Sequence, residues 1–176
     1  AFIFAGSTFP KGYSSETGAD MLLTNAAADI NKPRGSLESL DDVTAIFKTQ
    51  PEETMLNFLK ASIKTNKEET EDIKKLHQAY SDGRFEELIP LLEETEQRTL
   101  KRVDTKYAKA MSDWLKNDLL IRRNQAWLPE IRKQSAKQST LFAVGIAHLP
   151  SEKGLIELLR QEGYQVTPEP KVLIWQ

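Results

Sequence analysis

Thr140-Leu-Phe-Ala-Val-Gly-Ile-Ala-His148-Leu-Pro-Ser151-Glu-Lys-Gly154-Leu-Ile-Glu-Leu-Leu-Arg-Gln-Glu-Gly163-Tyr-Gln-Val166 is the stretch on which the fold turns. Residues 141–146 form a short apolar run of the kind shown by a strand buried on both faces. Ser151 offers a helix cap, Glu152 lies in the first turn that would follow, and Gly163 offers a stop before Tyr164-Gln-Val166 resumes an extended pattern. The stretch therefore reads as strand, helix, strand. In such a unit ligands bind beyond the carboxyl ends of the strands, where His148 falls, and Gly145 three residues earlier leaves the backbone bare for close approach. A lone His in a strand-to-helix loop also serves simply to tie the loop down, and spacing alone weighs the two roles about equally.

Working back from that stretch, residues 95–138 read as two charged amphipathic helices. Val103, Tyr107, Met111, Trp114 and Leu115 form the apolar stripe of the first, and Leu120, Trp127, Leu128 and Ile131 that of the second. Such stripes are core more often than cofactor boxes. Arg123 and Asn124 interrupt the second stripe. Either Arg123 reaches solvent and Asn124 bonds a neighbouring loop, or both point at an anionic or carbonyl-bearing ligand near a strand end.

Farther back, Met55, Leu56, Leu59 and Ile63 follow Pro51 at helical spacing, and Ile73, Leu76, Ala79 and Tyr80 continue the pattern to the turn Ser81-Asp-Gly83. His77 belongs to that helix, as a surface or half-buried residue. Phe85, Leu88, Ile89 and Leu92 then predict a short helix, with Pro90 at a kink or boundary. Residues 16–30 suit another short helix, broken at Asn31-Lys-Pro33-Arg-Gly35. Leu37-Glu38-Ser39-Leu40 reads as a short extended piece, with Asp41 or Asp42 capping the helix after it, which places Glu38 at a strand end like His148. Ala1-Phe-Ile-Phe-Ala5 and Val172-Leu-Ile-Trp175 are further β-prone runs. The fold class expected is α/β and helix-dominated, a small mixed sheet flanked by several amphipathic helices, in one domain over residues 1–176. Within it, residues 1–15 read as strand and loop, and 169–176 as a terminal strand.

Composition narrows the function classes. Charged residues make up 28% of the 176-residue chain, and the formal net charge is −2. The isoelectric point is near 5.8 and the mean hydropathy −0.50. No basic excess supports general nucleic-acid binding or attraction to an anionic membrane. The absence of cysteine removes thiol nucleophiles, thiolate metal sites and disulfides, while leaving the compartment open. No apolar run reaches the 18 residues of a membrane span. The chain starts without Met, inside an apolar run, and so reads as a fragment.

The residues also match a known pattern. Gly18-Ala-Asp20-Met-Leu22, Lys32-Pro33, Leu37-Glu38-Ser39, Tyr80-Ser-Asp-Gly83, Arg123-Asn124-Gln-Ala-Trp127-Leu-Pro-Glu-Ile131, and the stretch from Phe142 through Gly145 and His148 to Tyr164 occur in the order found in the TraB/GumN family. The resemblance spans about residues 17–168, and the last motif is its most specific part. The family includes TIKI-type metalloproteases and proteins described as pheromone-shutdown or GumN-like, and its fold is similar to erythromycin-esterase-like and ChaN-like proteins. Its pattern carries two Gly-x-x-His motifs, a Glu and an Arg-Asn pair. This chain resembles the C-terminal half, which holds only the second Gly-x-x-His, at Gly145 and His148.

The resemblance implies a metal-dependent hydrolase of peptidase type. His148 would be a metal ligand, Glu38 a ligand or general base, and Arg123 with Asn124 would polarise a substrate carbonyl or fix its carboxylate. The implied metal is a divalent ion such as Mn, Co or Zn. A catalytic ion ordinarily takes three protein ligands and keeps a position open for water, so one His and one Glu make an incomplete set and no turnover is expected from this chain alone. The family's usual Gly after His-Leu-Pro is Ser151 here, a change expected to be tolerated because Ser caps helices well. The resemblance is compatible with a bacterial exported or membrane-associated location, for which this chain carries no signal of its own.

A different function class competes. The segment from Ala79 to Leu88 resembles the hinge of a tetratricopeptide repeat, which would imply a non-catalytic helical module that holds a partner peptide, although no second copy occurs at a fixed spacing. The partners expected are a peptide substrate, and either a second copy of the chain, as a homodimer, or the N-terminal half of the family domain, meeting at an exposed strand edge.

Overall fold

The structure, a computed structural model, describes residues 18–64 and 66–168, without the side chains of residues 62–64, 66–70 and 85. It divides into two units at the bond between Leu119 and Leu120. The first contains α1 (Ala19–Asp29), α2 (Leu40–Lys48), α3 (Glu52–Lys64), α4 (Asn66–Asp82), α5 (Phe85–Leu100) and α6 (Thr105–Asp113). A π-helical stretch, Trp114–Ile121, carries the chain across the boundary into α7 (Arg122–Ser135). After it the second unit has a short 3-10 turn, Ile146–His148, and α8 (Leu155–Gln161).

In the first unit, Phe58 and Ala61 of α3, Leu100 of α5, Val103 of the following turn, Met111 of α6 and Trp114 form one buried cluster. Ile46, Phe47, Met55, Tyr107, Ala108, Leu115 and Leu119 pack around it. Phe47 meets Trp114 edge to face, with ring centroids 5.3 Å apart. The Trp114 indole N–H donates to the Ile46 carbonyl at 3.2 Å, so the one polar atom of the ring has a partner inside the core. The predicted stripe Val103, Tyr107, Met111, Trp114 and Leu115 is this core. The stripe predicted for α3 is rotated instead: Phe58 and Ala61 are buried, while Leu56 and Leu59 are exposed.

α4 and α5 pack as a helical hairpin with Ala79 and Leu88 buried. Its turn is set by Gly83, whose φ of 71° belongs to the left-handed region, with Gly83 N–H donating to Tyr80 O and Arg84 N–H to Ala79 O. Buried Asp72 of α4 accepts from Arg98 at 2.6 Å and from Thr95 at 3.3 Å, which pins the hairpin's far end. α5 continues through Pro90, so this proline is neither a boundary nor an end. α2 is capped by Ser39 rather than by an aspartate of its own first turn: Ser39 Oγ accepts from Asp42 N–H, and Asp42 returns the bond to Ser39 N–H at 2.9 Å.

The expected sheet is overturned. Among the described residues there is no strand, and the fold is helical rather than α/β. Residues 141–145 have no regular secondary structure, with Phe142 and Val144 half-buried and Leu141 76% exposed, and no other described segment pairs with them. An apolar run is a local property, whereas a strand needs a second chain segment to take up its N–H and C=O groups. Residues 164–168 are likewise irregular. The runs at Ala1–Ala5 and Val172–Trp175 lie outside the described residues. Glu38, placed by expectation at a strand end, immediately precedes the cap of a helix.

Candidate functional site

The second unit buries two polar side chains, Asn124 and His148, together with Trp127, Ile131, Leu155 and Leu158. On α7 the residues at three- and four-residue spacing, Asn124, Trp127 and Ile131, are buried, so a carboxamide lies in line with two large apolar side chains. Pro129 lies inside the helix, and Arg132 at its last turn pairs with Glu162 at 2.7 Å, at the C-terminal end of α8, against which α7 packs. α8 ends in a tight turn at Gly163, φ 89°, where Gly163 N–H donates to Arg160 O and Tyr164 N–H to Leu159 O.

His148 closes the 3-10 turn, its own N–H donating to Gly145 O at 2.9 Å, and it is only 7% exposed. Its ring lies against Trp127, with centroids 4.6 Å apart and planes tilted by 44°. Nδ1 is 2.7 Å from Asn124 Oδ1, and Nε2 is 3.4 Å from a guanidinium nitrogen of Arg123. That guanidinium sits over the Trp127 ring at 4.9 Å. Arg123, Asn124, Trp127 and His148 thus form one cluster.

The loop after His148 wraps around the same amide. Asn124 Nδ2 donates to the carbonyls of His148 at 3.3 Å and Lys153 at 2.9 Å. Ser151 takes φ 82°, a left-handed conformation that favours glycine, and it does not cap α8, whose cap position is Gly154. The replacement of the family's usual Gly by Ser151 is therefore a strain, not the gain expected of a cap. Gly154 is required on packing grounds: a Cβ there would stand 1.9 Å from Pro150 O and 2.4 Å from Leu149 O. Gly145 has no such requirement, since a Cβ would meet only His148 Cδ2 at 3.8 Å. An open groove of about 850 Å³ adjoins the loop, lined among others by Leu149, Pro150, Lys153, Ile156, Arg160 and Val166. Arg123, Asn124 and His148 do not line it, so the chemistry of this unit is concentrated beside the groove.

Of the four residues singled out in the sequence, three meet: Arg123, Asn124 and His148. Glu38 belongs to the first unit, half-buried, its main-chain carbonyl accepting from the Ser36 hydroxyl. Trp127 was assigned to core and is core, but it also supports both the imidazole and the guanidinium. Its position four residues after Arg123 and three after Asn124 was the available signal.

The model of the TraB/PrgY/gumN family matches residues 4–168. The chain belongs to the TraB/PrgY/gumN family. Searches of curated proteins and of solved structures found no significant match. For this family member the fit of a metal can be judged from the donors present. Among the described residues no group of three or more His, Cys, Asp or Glu could hold an ion. The Nε2 atom of His148 is faced by a guanidinium, whose charge opposes a cation at that position. The described residues therefore do not fit a metal on their own. Among them, no helix is long and apolar enough to cross a membrane.

Proposed function

We propose that this TraB/PrgY/gumN chain carries part of the site of a hydrolase acting on peptide bonds. The observation that supports this reading is the Arg123–His148 pair, a guanidinium and an imidazole nitrogen 3.4 Å apart beside a nearly dry ring of Trp127. A guanidinium held this way is suited to a substrate carboxylate or to the oxyanion that develops on a scissile carbonyl. Glu38 lies in the first unit, and a role for it as general base rests on the family resemblance alone; the described donors do not complete a metal site, so no step is assigned to an ion.

The experiment measures hydrolysis of a fluorogenic peptide library, with Mn, Co or Zn, by the protein and by its His148→Ala and Arg123→Gln variants. The expected result is turnover that both variants lose. Full turnover in both variants overturns the reading. A partner-binding module based on the α4–α5 hairpin would instead show no turnover in any form.

A further inference from the structure

We infer that Asn124 is a positioning residue, which decides the proton position on His148 and ties down the loop carrying the ring, and does not itself touch substrate. The carboxamide has two N–H bonds and one acceptor oxygen. Both N–H bonds have main-chain carbonyl partners, His148 O at 3.3 Å and Lys153 O at 2.9 Å. Carbonyls only accept, so the amide nitrogen must face them and Oδ1 must face the imidazole. Oδ1 also only accepts, so the ring nitrogen 2.7 Å away must donate. In the neutral ring the proton is then on Nδ1 and the lone pair on Nε2.

A second partner agrees independently. Arg123 can only donate, and its Nη1 lies by Nε2, the atom that this tautomer makes an acceptor. At 3.4 Å that contact is long for a hydrogen bond, so the 2.7 Å contact to Asn124 decides the tautomer and Arg123 is consistent with it. Asn124 is 2% exposed, which leaves no access for a substrate carbonyl. The role implied by the family pattern, polarising a substrate group, therefore passes to Arg123, while Asn124 acts through His148. The consequence is chemical: with the lone pair on Nε2 the ring presents an acceptor on the Arg123 side, whereas the other tautomer would present a donor there.

The inference deepens the hydrolase reading and rests on it only for what the acceptor is used for; the tautomer is measurable without turnover. The chain has two histidines, His77 and His148, and His77 is exposed on α4, so it serves as an internal reference. Long-range proton–nitrogen correlation spectra of the 15N-labelled 176-residue chain, taken where both rings are neutral and assigned with His77→Gln, read the two tautomers directly. The expected result is His148 with Nδ1 protonated over Nε2 by about tenfold or more, the ratio that one retained hydrogen bond supplies. Asn124→Ala should lose that preference. If this variant does not fold, Arg123→Gln keeps the question open to test, since the preference should persist with Asn124 in place. Nε2 protonation in the unmodified chain, loss of the preference in Arg123→Gln, or an unchanged preference in folded Asn124→Ala overturns the inference. Absence of hydrolysis in every form would instead sink the hydrolase reading and leave the tautomer standing.

Discussion

The two units are stabilised in different ways. In the first, the centre is apolar: Phe58, Met111 and Trp114 interlock, and the polar groups nearby serve caps and helix pairs. In the second, buried Trp127, Ile131, Leu155 and Leu158 accompany a hydrogen-bonded set, Asn124 with the His148 ring and two loop carbonyls. An apolar core tolerates little loss of volume but makes no demand on proton position. A buried polar set costs free energy unless every member is paired, and here no buried side-chain nitrogen or oxygen among the described residues lacks a partner. The second unit thus adds donor and acceptor identity at one buried cluster to the apolar packing that both units have.

The largest effect should come from the first unit. Trp114→Ala empties a fully buried site and removes the bond to Ile46 O, and should cost about 3–5 kcal/mol by urea denaturation. Loss of less than about 1 kcal/mol would deny the unit its apolar centre. Next is Gly154→Ala in the second unit. Its added methyl would press on main-chain carbonyls that cannot rotate away, at a cost of about 1–3 kcal/mol, read as faster amide exchange across the loop and α8. Unchanged exchange would mean that the loop is not held as described.

These two positions also show what the sequence could reveal. The stripe through Met111 and Trp114 was legible because helical periodicity is a local signal that burial enforces. So were the turns at Gly83 and Gly163, where left-handed φ needs glycine. The sheet was misread because a short apolar run at 141–146 carries no information about whether another segment pairs with it. The expected set was Glu38, Arg123, Asn124 and His148, of which the last three meet and Glu38 lies in the first unit; the bonds within the cluster were not anticipated, because periodicity cannot say which side of an amide faces a ring. The Ser151 strain was missed for a similar reason: a serine before a helical pattern looks like a cap until its φ is known.

Smaller effects sharpen the contrast. Ser151→Gly relieves a left-handed backbone worth about 1–2 kcal/mol, offset by about 0.5–1 kcal/mol of glycine entropy, so it should stabilise the second unit by roughly 0.5–1 kcal/mol. A destabilised variant would contradict the assigned backbone. In the first unit Glu96 is held above the usual carboxylate range, chiefly by burial, with Glu93 adding to the rise and the Ser112 hydroxyl and Lys116 opposing it. A carboxyl whose folded pKa is raised binds its proton more tightly in the folded state. Its ionisation costs stability above the folded pKa, and the cost disappears below the unfolded value. Glu96→Gln should therefore raise the melting temperature at pH 7 and leave it unchanged near pH 3; an equal gain at both values would mean that ionisation is not the cause.

The most direct test of the second unit as a chemical site is a pair of readings on one sample, peptide hydrolysis and melting temperature of Arg123→Gln. Arg123 is half-buried, with its guanidinium over the Trp127 ring and beside His148 Nε2, so if the cluster is a chemical site the melting temperature should fall by no more than about 4 °C. Hydrolysis should drop by at least about a hundredfold, the effect of removing one group that stabilises developing charge. Retained hydrolysis with a large loss of stability would show that the cluster is a structural brace and would contradict the account.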